Sequence, residues 1–247
     1  MTFDAPAVEI SGLHKSFGDH HVLRGIDLSV PARAVFALLG TNGAGKTTTI
    51  AILATLLKPD AGIARVAGID VVRQPAKVRQ AITVTGQHVT VDTVLTGLEN
   101  LALMARLRHV RHPKAVAAAL VEQFGLAEAA NKRAGAYSGG MKRRLDIAMS
   151  LIGEPKVVFL DEPTTGLDPA GRREVWTFID GLAAQGKTIV LTTQYMEEAS
   201  RLASLIAVLH DGVITAHGDE AAVLRAAGDA ADLESAFLAL TGPQDQP

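Results

Sequence analysis

The sequence has no cysteine, which excludes a disulfide framework, a zinc–thiolate site and a thiol nucleophile, and fits a reducing compartment. It has no excess of charge: the formal net charge is −2 and the pI near 6.4, which argues against a bulk electrostatic grip on nucleic acid. No apolar run approaches the roughly 18–20 residues needed to span a bilayer. The N-terminal stretch Met1-Thr2-Phe3-Asp4-Ala5-Pro6 lacks the basic and apolar regions of a signal peptide. Aromatic residues are scarce, at 4%. What is present is an ordinary globular composition, 48% hydrophobic and 20% charged. A length of 247 residues suits one large α/β domain, or a domain with a subdomain, and is ample for a buried core. The expectation is a soluble, cytoplasmic chain whose membrane role, if any, comes through a partner.

The most informative stretch is Gly40-Thr41-Asn42-Gly43-Ala44-Gly45-Lys46-Thr47-Thr48. The apolar run Ala34 to Leu39 before it predicts a short buried strand, and Thr48 to Leu57 after it predicts a helix. Strand, G-x-x-x-x-G-K-[ST], helix is the context of a phosphate-binding loop. Glycines let the backbone wrap so that successive N–H groups converge on phosphate oxygens, and the helix N-terminus adds its positive dipole end. Lys46 would reach the β- and γ-phosphates, and the Thr47 hydroxyl would ligate Mg²⁺. This loop is expected to bind a nucleoside triphosphate.

The pattern elsewhere predicts strands at Val8 to Ile10 and Val22 to Val30, with Phe17 in a turn between them. Phe17 would either stack on a purine or simply pack at an edge. After the Lys58-Pro59-Asp60-Ala61-Gly62 turn come strand from Ile63 to Val72, broken at Gly68, and a short strand from Ala81 to Thr85. Gln87 follows that strand end, where an amide could ligate Mg²⁺ or hold the attacking water. Helices are predicted at Leu98 to Leu107 and Lys114 to Phe124, with Pro113 at a first helical position. The basic residues Arg106, Arg108, Arg111 and Lys114 read as a solvated face or, alternatively, as a partner- or membrane-facing surface. Ser138-Gly139-Gly140 then caps a helix from Lys142 to Ile152, a second helix N-terminus suited to an anion.

Val157 to Leu160 is a continuous apolar strand that ends in Asp161 and Glu162. A parallel-sheet strand of this kind delivers carboxylates to the ligand edge, Asp161 for Mg²⁺ and Glu162 as general base toward water. A turn at Gly166-Leu167-Asp168-Pro169, a helix to Ala184, and a core strand Thr188 to Thr193 ending at Gln194 follow. Strands at Ile206 to Leu209 and Val213 to Ala216 flank a hairpin at His210-Asp211-Gly212. The end from Gly242 to Pro247 is expected to be disordered.

Taken in order, these stretches resemble the ATP-binding subunit of ATP-binding-cassette (ABC) transporters over essentially the whole chain. Phe17 matches the adenine-stacking aromatic, Gly40 to Thr48 the Walker A loop, Gln87 the Q-loop, and Asp161 with Glu162 the Walker B pair. Tyr137 to Met141 matches the signature motif LSGGQ, and Gly166-Leu167-Asp168 the D-loop. The variants Tyr-Ser-Gly-Gly-Met, Thr-Gly-Gln and Thr-Thr-Gln-Tyr look like the daunorubicin-resistance branch of drug exporters. The resemblance implies a P-loop NTPase fold of class α/β, with an antiparallel β portion and an inserted helical subdomain. The core would be 1–87 and 156–218, the helical part about 88–155, and 219–247 short helices and tail. It further implies two copies sandwiching two ATP molecules head to tail, so that Ser138, Gly139 and Gly140 serve the partner's γ-phosphate, with Asp168 also a nucleotide-binding residue. Separate integral-membrane subunits would receive the motion at the cytoplasmic face of the membrane, and no nucleic acid is expected as partner.

Two departures qualify the resemblance. Most ABC ATPases carry histidine where this chain has Gln194; an amide donates one neutral hydrogen bond there but neither carries a positive charge nor relays a proton. Little sequence follows Leu224 apart from Leu233 to Thr241, so a larger C-terminal regulatory portion is expected to be missing. The leading function is ATP hydrolysis driving export of a hydrophobic small molecule or lipid. The alternatives are a weakly hydrolysing regulatory module, motivated by Gln194, and a soluble ABC ATPase acting on ribosomes or DNA. The last usually brings a second cassette, zinc or coiled-coil insertions, or a basic surface.

Overall fold

The computed structural model describes residues 5–86 and 90–242. Val8–Phe17 (β1) and His20–Val30 (β2) form a hairpin across Gly18 and Asp19. Both strands bury one set of side chains, Val8, Ile10 and Leu13 from the first and Leu23, Ile26 and Leu28 from the second, as a sheet with one wet face does. Phe17 is thus the last residue of a strand rather than part of a turn, because the hairpin closes in two residues.

Val35–Leu39 (β3) is buried throughout and leads into the helix Lys46–Leu53 (α1). That helix stops at Leu53, not at Leu57. Thr55 adopts the left-handed conformation (φ 64°), and the Leu56 N–H donates to the Ala51 carbonyl at 2.8 Å, the bond that closes a helix C-terminus. Ala61–Val66 (β4) and Ile69–Asp70 (β5) complete an antiparallel sheet of order β2-β1-β4-β5. A short helix that the pattern did not predict, Pro75–Ala81 (α2), takes Pro75 in its first turn. The next strand, Ile82–Thr85 (β6), therefore starts one residue later than expected.

Among the described residues, three α-helices lie between β6 and the next strand: Gly97–Leu107 (α3), Pro113–Gln123 (α4) and Gly139–Ser150 (α5). A reciprocal pair of side chain to backbone bonds between Thr96 and Glu99 opens α3. Ser138 caps α5, its Oγ accepting from the Met141 N–H at 3.2 Å, so this helix begins and ends before the predicted Lys142 and Ile152. The remainder is Val157–Asp161 (β7), Pro169–Ala184 (α6), Thr188–Thr193 (β8), Met196–Leu202 (α7, unpredicted), Leu205–His210 (β9) and Val213–Gly218 (β10). Glu220–Ala226 (α8) and Leu233–Thr241 (α9) close the described chain.

The second sheet has the order β10-β9-β3-β8-β7-β6 and is parallel except for β10. Its central strands are buried on both faces, which explains their unbroken apolar runs. Val35, Ala37, Leu39, Val158, Leu160, Ile189 and Leu191 face a core shared with the helices that follow β6 and β7. Phe36, Leu38, Val157, Phe159 and Val190 face a second core shared with α1 and the antiparallel sheet. Among the described residues no helix is long and apolar enough to cross a membrane.

Candidate functional site

Strand order decides what meets at the sheet edge. β3, β8 and β7 are neighbours, and their registers pair Leu39 with Thr193 and Asp161 with Thr192. The segments that leave their C-terminal ends therefore emerge side by side, where ligands of parallel sheets bind. After β3 the Gly40 N–H donates to the Thr193 carbonyl at 3.3 Å. Gly45 holds φ at 109°, and a Cβ there would stand 2.7 Å from Leu23 Cδ2 and 3.1 Å from the Val22 carbonyl oxygen. Both the conformation and the close approach of β2 demand glycine. Lys46 is 4% exposed; its Nζ donates to the Gly40 and Thr41 carbonyls at 2.9 and 3.1 Å and lies 3.4 Å from Glu162 Oε1.

After β7 the Asp161 Oδ1 accepts from Thr192 Oγ1 at 2.5 Å and from Thr47 Oγ1 at 3.3 Å. Glu162 takes a left-handed backbone (φ 48°), a strained choice for this residue of the sort that accumulates at functional sites. The strain is held by its N–H donating to Thr192, and its Oε2 accepts from Thr165 Oγ1 at 3.2 Å. Beside these groups lies a cavity of about 550 Å³ whose lining includes His20, Asn42, Gly43, Lys46, Thr47, Thr48, Glu162, Thr165 and Gln194; Asp161 stands behind it, joined to the lining through Thr47. The Thr47 hydroxyl and Asp161 carboxylate are adjacent hard oxygen donors. That set fits Mg²⁺, which takes one or two protein oxygens and leaves its other positions to water and phosphate.

Other predicted residues stand apart from this cavity. Phe17 does not line it and is 52% exposed, with Lys15 Nζ 5.5 Å from its ring centre; His20, its cross-strand partner, lines the cavity instead. Gln87 lies outside the described residues. Ser138 caps α5, which Gly139 and Gly140 open; a Cβ on Gly139 would stand 3.1 Å from Leu167 Cδ2, and one on Gly140 3.3 Å from Gly171 Cα of α6. Asp168 caps α6, its Oδ1 accepting from the Gly171 N–H at 2.8 Å. The signature turn and the Asp168 turn thus form one surface, separate from the phosphate cavity. Arg106, Arg108 and Arg111 are exposed, and Lys114 is exposed beside them.

Several contributors were not predicted from the sequence. Thr192 and Thr165 hold the two carboxylates, yet nothing in a β-branched strand or a Thr-Thr-Gly turn announces which hydroxyl meets which acid. Glu198 on α7 is fully buried, and its Oε1 accepts from Thr164 Oγ1 at 2.8 Å and Trp176 Nε1 at 3.1 Å. Burial pushes its carboxyl above the ordinary range, against those hydrogen bonds and the charge of Arg143. Glu198 joins the helix that follows Gln194 to α6 and the Glu162 loop. Glu198 follows another acid, Glu197, in the first turn of α7, and nothing in the sequence marks which of the two is buried.

A phosphate loop at the end of a central parallel strand, with an acid pair on a nearby strand end, defines a P-loop nucleotide-binding protein. The ABC transporter family matches residues 23–165. Daunorubicin/doxorubicin resistance ATP-binding protein DrrA of Streptomyces peucetius is 51% identical over 214 residues, 86% of this chain and 65% of that protein. Doxorubicin resistance ATP-binding protein DrrA of Mycobacterium tuberculosis (strain H37Rv) is 47% identical over 233 residues, 93% of this chain and 70% of that one. A solved ATP-binding subunit of an ABC transporter superposes with a TM-score of 0.83 at 26% identity, covering 95% of this chain and 99% of the other. The chain belongs to the ABC transporter family. It spans just under two thirds of the length of the Streptomyces peucetius relative.

Proposed function

We propose that the chain binds and hydrolyses Mg-ATP as the ATP-binding subunit of an exporter whose membrane-crossing subunits are separate chains. The observation that carries this is the convergence of Lys46, Thr47, Glu162 and Gln194 on one cavity at the sheet edge. The loop amides and Lys46 bind the phosphates, and Glu162 takes a proton from the attacking water. Gln194 donates a hydrogen bond to the γ-phosphate. When bound, Mg²⁺ would sit on Thr47 and Asp161 and offset charge developing on the phosphates. Phe17, which ends β1 opposite the cavity-lining His20, is the aromatic proposed for the adenine, and Gln87 the amide proposed for the metal or the water.

The separation of the Ser138 turn from the cavity supports a head-to-tail pair of identical chains, in which Ser138, Gly139, Gly140 and Asp168 meet the other chain's nucleotide. In this reading the helical part, about 88–155, moves against the core formed by 1–87 and 156–218 and passes that motion to the membrane subunits on the cytoplasmic face. Among the described residues, the segment from 219 carries the short helices α8 and α9, which pack Val223, Leu233, Ala236 and Phe237 into the core. The names of the relatives favour a hydrophobic drug-like molecule as the transported compound.

The test is steady-state phosphate release by the wild type and by Glu162→Gln. Removing a general base should lower turnover by about 10²–10⁴-fold while Mg-ATP binding persists. Equal turnover in the two would remove Glu162 from this role. A second reading, a regulatory module that binds ATP and barely hydrolyses it, is favoured by Gln194 in place of histidine. Tight binding with wild-type turnover as low as that of Glu162→Gln would select it.

A further inference from the structure

Helix α5 is tied to the Glu162 loop by one buried side chain. Arg143 is 3% exposed. Its Nε donates to the Pro163 carbonyl at 2.9 Å, and its Nη1 donates to the Gly86 carbonyl at 2.8 Å and to Asp146 Oδ2 at 3.2 Å. Its Nη2 reaches the Asp161 carbonyl at 3.5 Å. Asp146, 2% exposed, uses its other oxygen to accept from the Thr90 N–H and hydroxyl at 3.0 and 2.7 Å. A single ion pair on α5 therefore holds the backbone on both sides of Glu162, together with Gly86 and Thr90 beyond it.

Stability alone does not explain this arrangement. A buried ion pair gains little over well-packed apolar residues of the same volume, because two charges must be desolvated. What no apolar side chain provides is a rigid fork that fixes several carbonyl oxygens at once. Ser138 caps the same helix, and five residues of helix advance about 7.5 Å. A displacement of the Ser138 end is therefore transmitted to the guanidinium within little more than one turn.

We infer that Arg143 is a positioning residue that links the Ser138 end of α5 to the backbone carrying Glu162. Nucleotide held by a second chain against Ser138 then sets the geometry of the general base in the first. This inference rests on the function proposed above, in which Glu162 is the base and Ser138 serves the other chain.

The experiment uses the full chain and compares wild type, Glu162→Gln, Arg143→Lys and Arg143→Met/Asp146→Asn. The double variant removes both charges, while the asparagine amide oxygen keeps an acceptor for Thr90; the lysine variant keeps the charge and loses the fork. Turnover at saturating ATP, Mg-ATP affinity by fluorescent-nucleotide titration and the thermal midpoint are measured for each. Both Arg143 variants should lose about ten- to a hundredfold in kcat, as misplaced catalytic groups do, with Mg-ATP affinity close to wild type and a lowered thermal midpoint, because the Gly86 and Pro163 carbonyls lose their donor. Wild-type kcat in the double variant would reduce the ion pair to packing and overturn the inference. If the double variant does not fold, Arg143→Lys decides, and wild-type kcat there has the same consequence. Wild-type turnover no higher than that of Glu162→Gln would instead remove the hydrolytic function itself, and the inference with it.

Discussion

Gln194 leaves β8 between the phosphate loop and the acid loop and lines the same cavity as Lys46 and Glu162. Its amide can supply the donor that most ABC ATPases take from histidine, without the charge. A hydrogen bond to a charged group is worth roughly 1.5–3 kcal/mol. In a transition state that is about a ten- to hundredfold change in rate. Gln194→Ala should therefore lose turnover by this factor while ATP affinity, which in the proposed function comes chiefly from the loop amides and Lys46, changes little. Gln194→His should keep turnover. Steady-state hydrolysis by the three chains is the measurement, and an alanine variant as fast as wild type would leave Gln194 without a catalytic part. At this scale the chemical identity of a residue was legible but its partner was not. Asp161 and Glu162 announced themselves as acids at a strand tip, whereas the bond from Thr192 to Asp161 depends on the register of β7 against β8.

Among the elements, α3 and the signature turn meet through one tight contact. Tyr137 is buried, and its hydroxyl donates to the Ala129 carbonyl at 2.7 Å. Gly97, the first residue of α3, leaves no room for a Cβ beside that hydroxyl. Gly97→Ala should destabilise the fold by about 1–3 kcal/mol, the usual cost of overpacking. Tyr137→Phe should cost about 1 kcal/mol through the lost hydrogen bond. Because phenylalanine removes the atom the new methyl group would strike, the double variant should be more stable than the sum of the two changes allows. Urea unfolding of the four chains gives the coupling, and strict additivity would mean the contact is relieved elsewhere. The hydrophobic period predicted α3, α4 and α6 well. It missed α2 and α7, each of seven residues, because so few turns give the period little to repeat.

For the whole molecule, the phosphate cavity and the Ser138 turn sit on separate parts of one chain, and a second copy brings them together in the proposed sandwich. Glu162→Gln, which keeps Lys46, Thr47 and Asp161 for the nucleotide, should accumulate as a dimer in Mg-ATP and revert to monomer without it. Size-exclusion chromatography reads this directly. A chain that binds nucleotide yet elutes as monomer under both conditions would sink the head-to-tail arrangement. The expected assembly follows from where two anion-binding elements lie, not from their separate chemistry.

The sequence by itself determined what is local in the chain. The strand, glycine loop and helix around Lys46, the apolar strand ending in Asp161 and Glu162, and the cap at Ser138 all depend on residues a few positions apart. Period, capping chemistry and glycine placement act over that distance. Tertiary structure alone decided which strand ends are neighbours, and so that Gln194 lies between Lys46 and Glu162. It alone put Thr192 on Asp161, buried Glu198 beneath Trp176, and aimed Arg143 at the carbonyls of Asp161, Pro163 and Gly86. Those contacts join residues 20 or more positions apart in most cases. Strand order and helix packing set them, because a buried polar group must find its partner wherever the fold places one.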